Sequence, residues 1–549
     1  MSRLRVNRRT FVAGSTAVGV AAAVGGLSQI GTSAQSVNSP GATPIPVGSP
    51  VPPEFTAAET DWPVEGGNLS QTREAVGSSI SAETVGQLGV AWTAEIAANS
   101  GYGSMSANPI ISGDTLYMQD MQSNVWAFNK ETGEQLWKND YNEASTGPNG
   151  IAVGYGFAVF NLGNSGDVVC VKADTGEEVW RTSIRGPLGE VLDMAPLIYD
   201  STVIVSTIPG NTDNFYRGGQ RGVVHALDVS NGNVLWYFDT TTDNLWGNPR
   251  VNSGGGLWHP PAVDGDGNLY LGVANAAPYP GLPGHPNSTS RPGDNDYANC
   301  LVKLDSETAS VDWYINVKPH DLFDLDNHLS PVLATINRNG VDTDVVFTSG
   351  KHGIVVCADA ASGDEIWRTP VGKHSNDNLQ ELPDDEYVEV FPGTLGGVET
   401  PMAYAQGMVI LPVYNMASKY NSTGISADGI DITKTTGNLV ALDAVTGSVL
   451  WDVELPSGLL AGATIVNDLV FTGALDGVVR GFTLSDGKQV FSFQAPAGLN
   501  APFAVSGDYL YVPAGGPLIP SADTQAPETP SQELIAFKVG AGGSATPAS

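Results

Sequence analysis

Cysteine is nearly absent from this chain: three residues in 549, at positions 170, 300 and 357. An odd, widely spaced set excludes a disulfide framework, a Cys-x-x-Cys metal or redox motif, and the Cys-x-x-Cys-His needed to attach haem. Each lies in an apolar, strand-like run, where a thiol packs as a small hydrophobe. Positive charge is scarce too. The sequence holds 25 Lys and Arg against 58 Asp and Glu, a formal net charge of −33. Such a surface repels phosphate backbones and anionic bilayers, which argues against nucleic acid or a membrane surface as partner. Charged residues of both signs make up only 15%, and no long amphipathic helical pattern occurs, so a helical bundle is not expected.

One long apolar run exists, from Phe11 to Ile30, and it is too broken by Gly and Ser for a lasting membrane anchor. Arg3, Arg5, Arg8 and Arg9 precede it, and Thr32-Ser33-Ala34 offers small residues for cleavage. Arg8-Arg9-Thr10-Phe11-Val12 is a twin-arginine signature. Residues 1–34 therefore read as a twin-arginine export signal, which places the mature protein in the periplasm or outside the cell, with no stable membrane insertion after cleavage. Residues 35–58, rich in Pro and Ser, read as a disordered linker, and 541–549 as a disordered tail.

What abounds is Gly (66) and Pro (36), beside 41% hydrophobic residues, a balance suited to many short strands and tight turns. Between residues 59 and 540 one unit recurs. Ala127-Phe-Asn-Lys-Glu-Thr-Gly-Glu-Gln-Leu-Trp137 returns as Val171 to Trp180, Ala226 to Trp236, Lys303 to Trp313, Ala358 to Trp367, Ala441 to Trp451 and Gly481 to Phe491. Each copy is a strand end, a Thr-Gly or similar turn, in which a Gly supplies a positive φ, and a strand closing on an aromatic residue. Trp92 closes a copy that lacks the turn. Eight closings at intervals of 40 to 84 residues predict an all-β, eight-bladed β-propeller. The long loops at about 274–300, 373–398 and 413–437 are expected to form a cap over one face. A last strand near Glu533 to Val539 is expected to pair with N-terminal sequence.

Outside the repeat, Asp321, Asp324 and Asp326 crowd into six residues between His320 and His328. Carboxylates so close need a cation, a shared proton or full solvation. Two readings compete: a solvated acidic turn, and a metal-assisted general-base site.

The repeat Ala441-Leu-Asp-Ala-Val-Thr-Gly-Ser-Val-Leu-Trp451 resembles the tryptophan-docking motif of the pyrroloquinoline quinone (PQQ) dependent alcohol dehydrogenases. Asp61-Trp-Pro, Gly66-Gly67, Arg73, Ile80 to Leu88, Ala91-Trp92 and Gly473 to Val479 agree, so the resemblance covers roughly residues 59–540. It implies a floor tryptophan for the quinone at Trp258 of Gly254-Gly-Gly-Leu-Trp258, and a metal-ligating asparagine at Asn275. It also implies a general base that ligates the metal at Asp324, and a basic quinone contact at Lys351 of Gly350-Lys-His-Gly-Ile354. Asp326 resembles the additional aspartate of lanthanide-using members. The chain departs elsewhere: Asn211 stands where the family has a metal-binding glutamate, Asp193 and Asn149 replace quinone contacts, and the adjacent-cysteine pair is missing. Histidines 259, 320, 328 and 352 lack metal-ligand spacing and read as cavity, turn or supporting residues.

The resemblance implies an exported dehydrogenase oxidising an alcohol or sugar hydroxyl with PQQ and calcium or a lanthanide. Its electrons would pass to a separate acceptor such as a soluble cytochrome or a quinone. The alternative from a different class is a cofactor-free propeller of the same ancestry that serves as a binding or scaffold module.

Overall fold

In a computed structural model, residues 50–57, 60–98, 100–210, 218–521, 524 and 530–542 are described. The export segment and Asn211 lie outside them. The described residues are almost entirely strand and turn; the α-helices, Glu54–Ala57 and Asp243–Trp246, are four residues each. No helix among them is long and apolar enough to cross a membrane.

Seven four-stranded antiparallel units follow one another along the chain, at 110–139, 151–183, 197–239, 262–316, 332–370, 403–455 and 464–494. An eighth combines Ala504–Ser506, Tyr509–Ala514 and Glu533–Val539 with Leu88–Glu95 from the other end of the chain. There Leu88 pairs with Val539 and Glu95 with Glu533, so the last strand does meet N-terminal sequence. Glu74–Ala75 adds a short parallel strand to the seventh sheet. Strands inside a sheet are buried on both faces, as in Phe157–Leu162, and read as continuous apolar runs. Outermost strands such as Val449–Leu455 alternate between half-buried and exposed residues along most of their length.

The core is divided among the spaces between consecutive sheets. Trp137 packs with Phe160 between the first two sheets, and Trp313 with Val346 and Ala358 between the fourth and fifth. One large cluster holds Phe471, Phe491, Phe537, Tyr511, Leu116 and Met118, joining the seventh sheet to the eighth and the eighth to the first. The repeated tryptophans make these joints. Nε1 of Trp92, Trp137, Trp180, Trp236, Trp367 and Trp451 donates to a backbone carbonyl of the following sheet, at Lys130, Ala173, Val229, Ser306, Ala444 and Leu484, over 2.8–3.1 Å. The turn glycine of that sheet lies against the indole: a Cβ on Gly176 would meet the Trp137 ring at 2.8 Å, and one on Gly447 the Trp367 ring at 2.6 Å. With φ near +70° as well, these positions suit glycine twice over. Trp313 is the exception. Among the described residues its Nε1 has no partner; Lys303 Nζ and Tyr270 Oη occupy the corresponding carbonyl, that of Ala360.

The N-terminal segment ties the inner strands together. Backbone bonds join residues 62–73 to Ile111, Val263, Leu333, Tyr404 and Ile465. Arg73, 1% exposed, donates to the carbonyls of Glu65, Ala463 and Phe503 and to the side chains of Asn108 and Thr464. Part of the expected linker also packs on the body: Glu54 accepts from Tyr155 N and Gly156 N, which gives a Pro-rich stretch a specific anchor.

The three long loops meet as expected of a cap. Val388–Val390, Ser418–Asn421 and Gly424–Ile425 form a three-stranded sheet, and Asn287 from the first loop exchanges hydrogen bonds with Leu382. Beneath them, Leu322, Phe323 and Leu325 of the acidic segment join Leu382, Val390 and Tyr420 in a small core.

Candidate active site

That small core sets the direction of the aspartates. With Leu322, Phe323 and Leu325 turned into the cap, the residues between them face the opposite way. Asp321 holds the turn: its carboxylate accepts from Phe323 N at 3.2 Å and Leu325 N at 2.8 Å. Tyr420 Oη adds a bond to Phe323 O, and Arg291 donates to the Asp321 carbonyl. The turn-bonding role therefore belongs to Asp321, and Asp326 looks elsewhere.

Asp324 and Asp326 both point at Asn275 and Lys351. Asn275 Nδ2 donates to Asp324 Oδ1 at 2.8 Å, and Asn275 N to Asp326 Oδ1 at 2.5 Å. Lys351 Nζ lies 3.3 Å from Asp324 Oδ2 and 2.7 Å from Asp326 Oδ2. Thr394 Oγ1, from the cap, donates to Asp324 Oδ2 at 2.5 Å. Space for this convergence depends on a missing side chain, since a Cβ on Gly350 would meet Asp326 O at 1.9 Å. Asn275 is placed by the pairing of Ala276–Ala277 with Ser253–Gly254, which also leads into Trp258.

Trp258, Asn275, Asp324, Asp326 and Lys351 thus surround one cavity of about 20 Å³, room for a single ion or water. Trp258, Asp326 and Lys351 also line a larger cavity of about 270 Å³. Its wall includes His259, His328, Glu399, Tyr102 and Tyr414. Asp324 borders the small cavity only.

Charge in this region is unbalanced. Burial is the largest influence on Asp324 and pushes its carboxyl up to about 7, against the pull of Lys351 and with a further push from Asp326. Burial likewise pushes Glu399 up to about 8. For Lys351 burial opposes the charge, but Asp324, Asp326 and Glu399 outweigh it and hold the ammonium well above its usual range. Burial drives His328 down to about 3, leaving it neutral. His259 Nδ1 pairs with Glu65 Oε1 at 2.6 Å.

The donor set fits a hard cation: two carboxylates and a carboxamide oxygen, with no soft ligand nearby. Trp258 supplies a flat floor for a planar ring. For a tricarboxylate quinone the polar fit is thinner, because among the described residues Lys351 is the single Lys or Arg on either cavity wall.

Two departures look different in three dimensions. Asp193, buried, accepts from Ser145 Oγ, Thr146 N and Thr146 Oγ1, so it fixes the turn behind Trp258 and borders neither cavity. Asn149 donates to Asp120 O and borders neither cavity as well. His320 bonds the Gly293 and Asn287 carbonyls, and His352 bonds Asn327, both as supporting residues. Thr394, Glu399 and the Glu65–His259 pair were not foreseen as a group. Glu65, Thr394 and Glu399 sit in no motif, and only adjacency to Trp258 singled out His259.

A family model described as PQQ: Glucose/ethanol/alcohol dehydrogenase, beta-propeller domain, matches residues 62–167 and 185–375. A second, described as Outer membrane protein assembly factor BamB, matches 421–542. The quinohemoprotein alcohol dehydrogenase of Comamonas testosteroni is 26% identical over 510 residues, covering 80% of this chain and 70% of that protein. Among solved structures, the quinohemoprotein alcohol dehydrogenase ADHIIG of Pseudomonas putida HK5 matches with a TM-score of 0.78 at 21% identity, over 92% of this chain and 84% of that one. A europium-containing methanol dehydrogenase matches with a TM-score of 0.72 at 18% identity, over 88% and 100%. The fold is an all-β propeller of this dehydrogenase type.

Proposed function

Because the chain belongs to the β-propeller family of PQQ-dependent glucose, ethanol and alcohol dehydrogenases, we propose that it is an exported dehydrogenase. Its substrate would be an alcohol or sugar hydroxyl, and its cofactors PQQ with calcium or a lanthanide. We read the eight sheets as eight blades, supported by the docking of Trp92 in the eighth sheet against Lys130 in the first.

The observation that carries this reading is the meeting of Trp258, Asn275, Asp324, Asp326 and Lys351, drawn from 94 residues of chain, around one small cavity. When bound, the quinone would supply a two-electron acceptor and the cation a Lewis acid. Asn275, Asp324 and Asp326 would hold the cation, together with Asn211. Trp258 would support the ring, and Lys351 would place an ammonium against it. Asp324 takes the hydroxyl proton at a carboxylate oxygen: a carboxyl that titrates near neutrality accepts a proton more readily than an ordinary aspartate. Thr394 and Asn275 hold that carboxylate in place. Export through the twin-arginine route and transfer of electrons to a separate cytochrome or quinone complete the proposal.

The test uses the mature chain with PQQ and either calcium or lanthanum. A cofactor absorbance band with dye reduction on an alcohol supports the reading. Absence of a band with both metals, at generous cofactor concentration, overturns it in favour of a binding module. A lanthanum preference that survives in Asp326→Ala would remove Asp326 from metal selection.

A further inference from the structure

The pair Glu65–His259 has no part in the scheme above. His259 follows Trp258 directly, is buried and borders the large cavity. On the dehydrogenase reading that cavity takes the quinone, since Trp258 and Lys351 wall it and the smaller one has room for an ion alone. His259 Nδ1 lies 2.6 Å from Glu65 Oε1, and among the described residues its Nε2 has no hydrogen-bond partner. A carboxylate can only accept, so Nδ1 carries the hydrogen and Nε2 keeps its lone pair for whatever fills the cavity.

The pair is not needed as a tie between its two segments. Gln71 Nε2 already reaches Pro261 O at 3.1 Å, and Val263 N reaches Leu69 O at 2.9 Å. Arg73, the cation beside Glu65, donates to its backbone carbonyl and leaves the carboxylate to the imidazole. A buried carboxylate against one ring nitrogen favours a proton on the other. The remaining groups of the cavity wall are otherwise engaged. Lys351 and Asp326 bond each other at 2.7 Å. Burial keeps the proton on Glu399 and Tyr414, pushing them up to about 8 and about 12. His328, its ring centroid 5.7 Å from that of His259, is driven down to about 3 by burial and carries no charge to oppose a second imidazolium.

We propose that His259 Nε2 accepts the protons released when the reduced cofactor is re-oxidised, with Glu65 as its positioning residue. This rests on the dehydrogenase reading. Each electron that leaves the reduced quinone for a one-electron acceptor, the separate cytochrome or an iron complex in its place, frees one proton. An O–H bond of the reduced ring breaks, an Nε2–H bond forms, and Glu65 stabilises the imidazolium. His259 then gives the proton to water on the side of Tyr102, which is 49% exposed and lines the same cavity, before the second electron and second proton follow. The step is separate from Asp324, which borders the small cavity only.

The test needs no alcohol. The mature chain is loaded with PQQ and calcium or lanthanum, the bound cofactor is reduced with dithionite, and its re-oxidation by ferricyanide is followed by rapid mixing. His259→Gln should slow re-oxidation roughly a hundredfold, and Glu65→Gln should slow it less, with Glu65→Asp restoring most of the rate. In the cofactor-free chain, nitrogen NMR should show the His259 hydrogen on Nδ1, and Glu65→Gln should abolish that preference. Equal re-oxidation rates in wild type and His259→Gln, with the PQQ absorbance band retained, overturn the proposal and leave the dehydrogenase reading standing. A hydrogen on Nε2 in the wild type does the same. Should His259→Gln lose the band, the Glu65→Gln rate decides by the same comparison. No band in the wild type with either metal sinks the dehydrogenase reading, and the proposal with it.

Discussion

Between the sheets, one tryptophan and one glycine recur with little variation; around Asp324 no two residues play the same part. Each docking contact repeats the same pair of elements, an indole laid on the turn glycine of the following sheet and its Nε1 bonded to a carbonyl there. The site gathers three carboxylates and one ammonium with Asp324 in a left-handed backbone conformation, φ 63°. Stability is distributed over the joints, while buried charges in conflict are gathered at the site. That division suits a scaffold that must hold costly chemistry without failing elsewhere. Trp313 shows the boundary between the two regimes. Its joint has traded the indole bond for Lys303 and Tyr270 on the Ala360 carbonyl, so even the ring admits polar substitution where a cation is at hand.

The comparison can be broken most severely at the site. Asp324→Asn should lower turnover roughly a thousandfold while cofactor absorbance persists; turnover left intact would take Asp324 out of the proton-accepting role. In the ring, Trp180→Ala should cost about 3–5 kcal/mol in denaturant unfolding, because it vacates the joint between the second and third sheets. A loss below about 1 kcal/mol would show that the joints carry little of the stability.

Acid should separate the two regions next. His328 binds its proton far less readily when folded, about 3 against an ordinary 6.5, so the unfolded chain takes up more protons between those values. Its contribution is complete above pH 6.5 and lost as pH falls towards 3, at about 1.4 kcal/mol per pH unit. Glu399 acts oppositely: with its folded value raised to about 8, stability is gained as pH falls towards the ordinary carboxylate range. Metal-free His328→Gln should therefore be less acid-sensitive than wild type between pH 6.5 and 4, and Glu399→Gln more so between pH 8 and 5. Melting curves that shift together in both variants would contradict the assignment.

The smallest effect compares two tryptophans. Trp180→Phe loses an indole bond to Val229 O and should cost about 1 kcal/mol more than Trp313→Phe, whose Nε1 has no bond to lose. Equal unfolding midpoints for the two would refute that distinction.

Much of the ring was legible in order of sequence because its signals are local. A turn glycine four residues before a closing tryptophan or phenylalanine is hairpin chemistry, and it stays readable at Gly133, Gly176, Gly232, Gly363, Gly447 and Gly487. Ala309 keeps the positive φ without the glycine, which is why that copy was the least regular. At the site, Trp258, Asn275, Asp324, Asp326 and Lys351 could be named through a family pattern. Glu399 could not, since nothing in Gly396-Gly-Val-Glu399-Thr-Pro401 distinguishes a cavity carboxylate from a turn residue. Nor could the withdrawal of Asp193 and Asn149 from the cavity, which depends on Ser145, Thr146 and Asp120 satisfying them.

By itself the sequence determined an all-β repeat chain with aromatic closings, an acidic exterior and a cluster of aspartates needing compensation. Those follow from composition, turn chemistry and short-range pattern, which act within a dozen residues. Only the tertiary structure decided which aspartate holds the turn and which two face the ammonium, because the cap core of Leu322, Phe323, Leu325 and Tyr420 sets that direction. It also decided that residues 258, 259, 326, 351 and 399 share one cavity. Facing is a property of packing between distant segments, and no local signal encodes it.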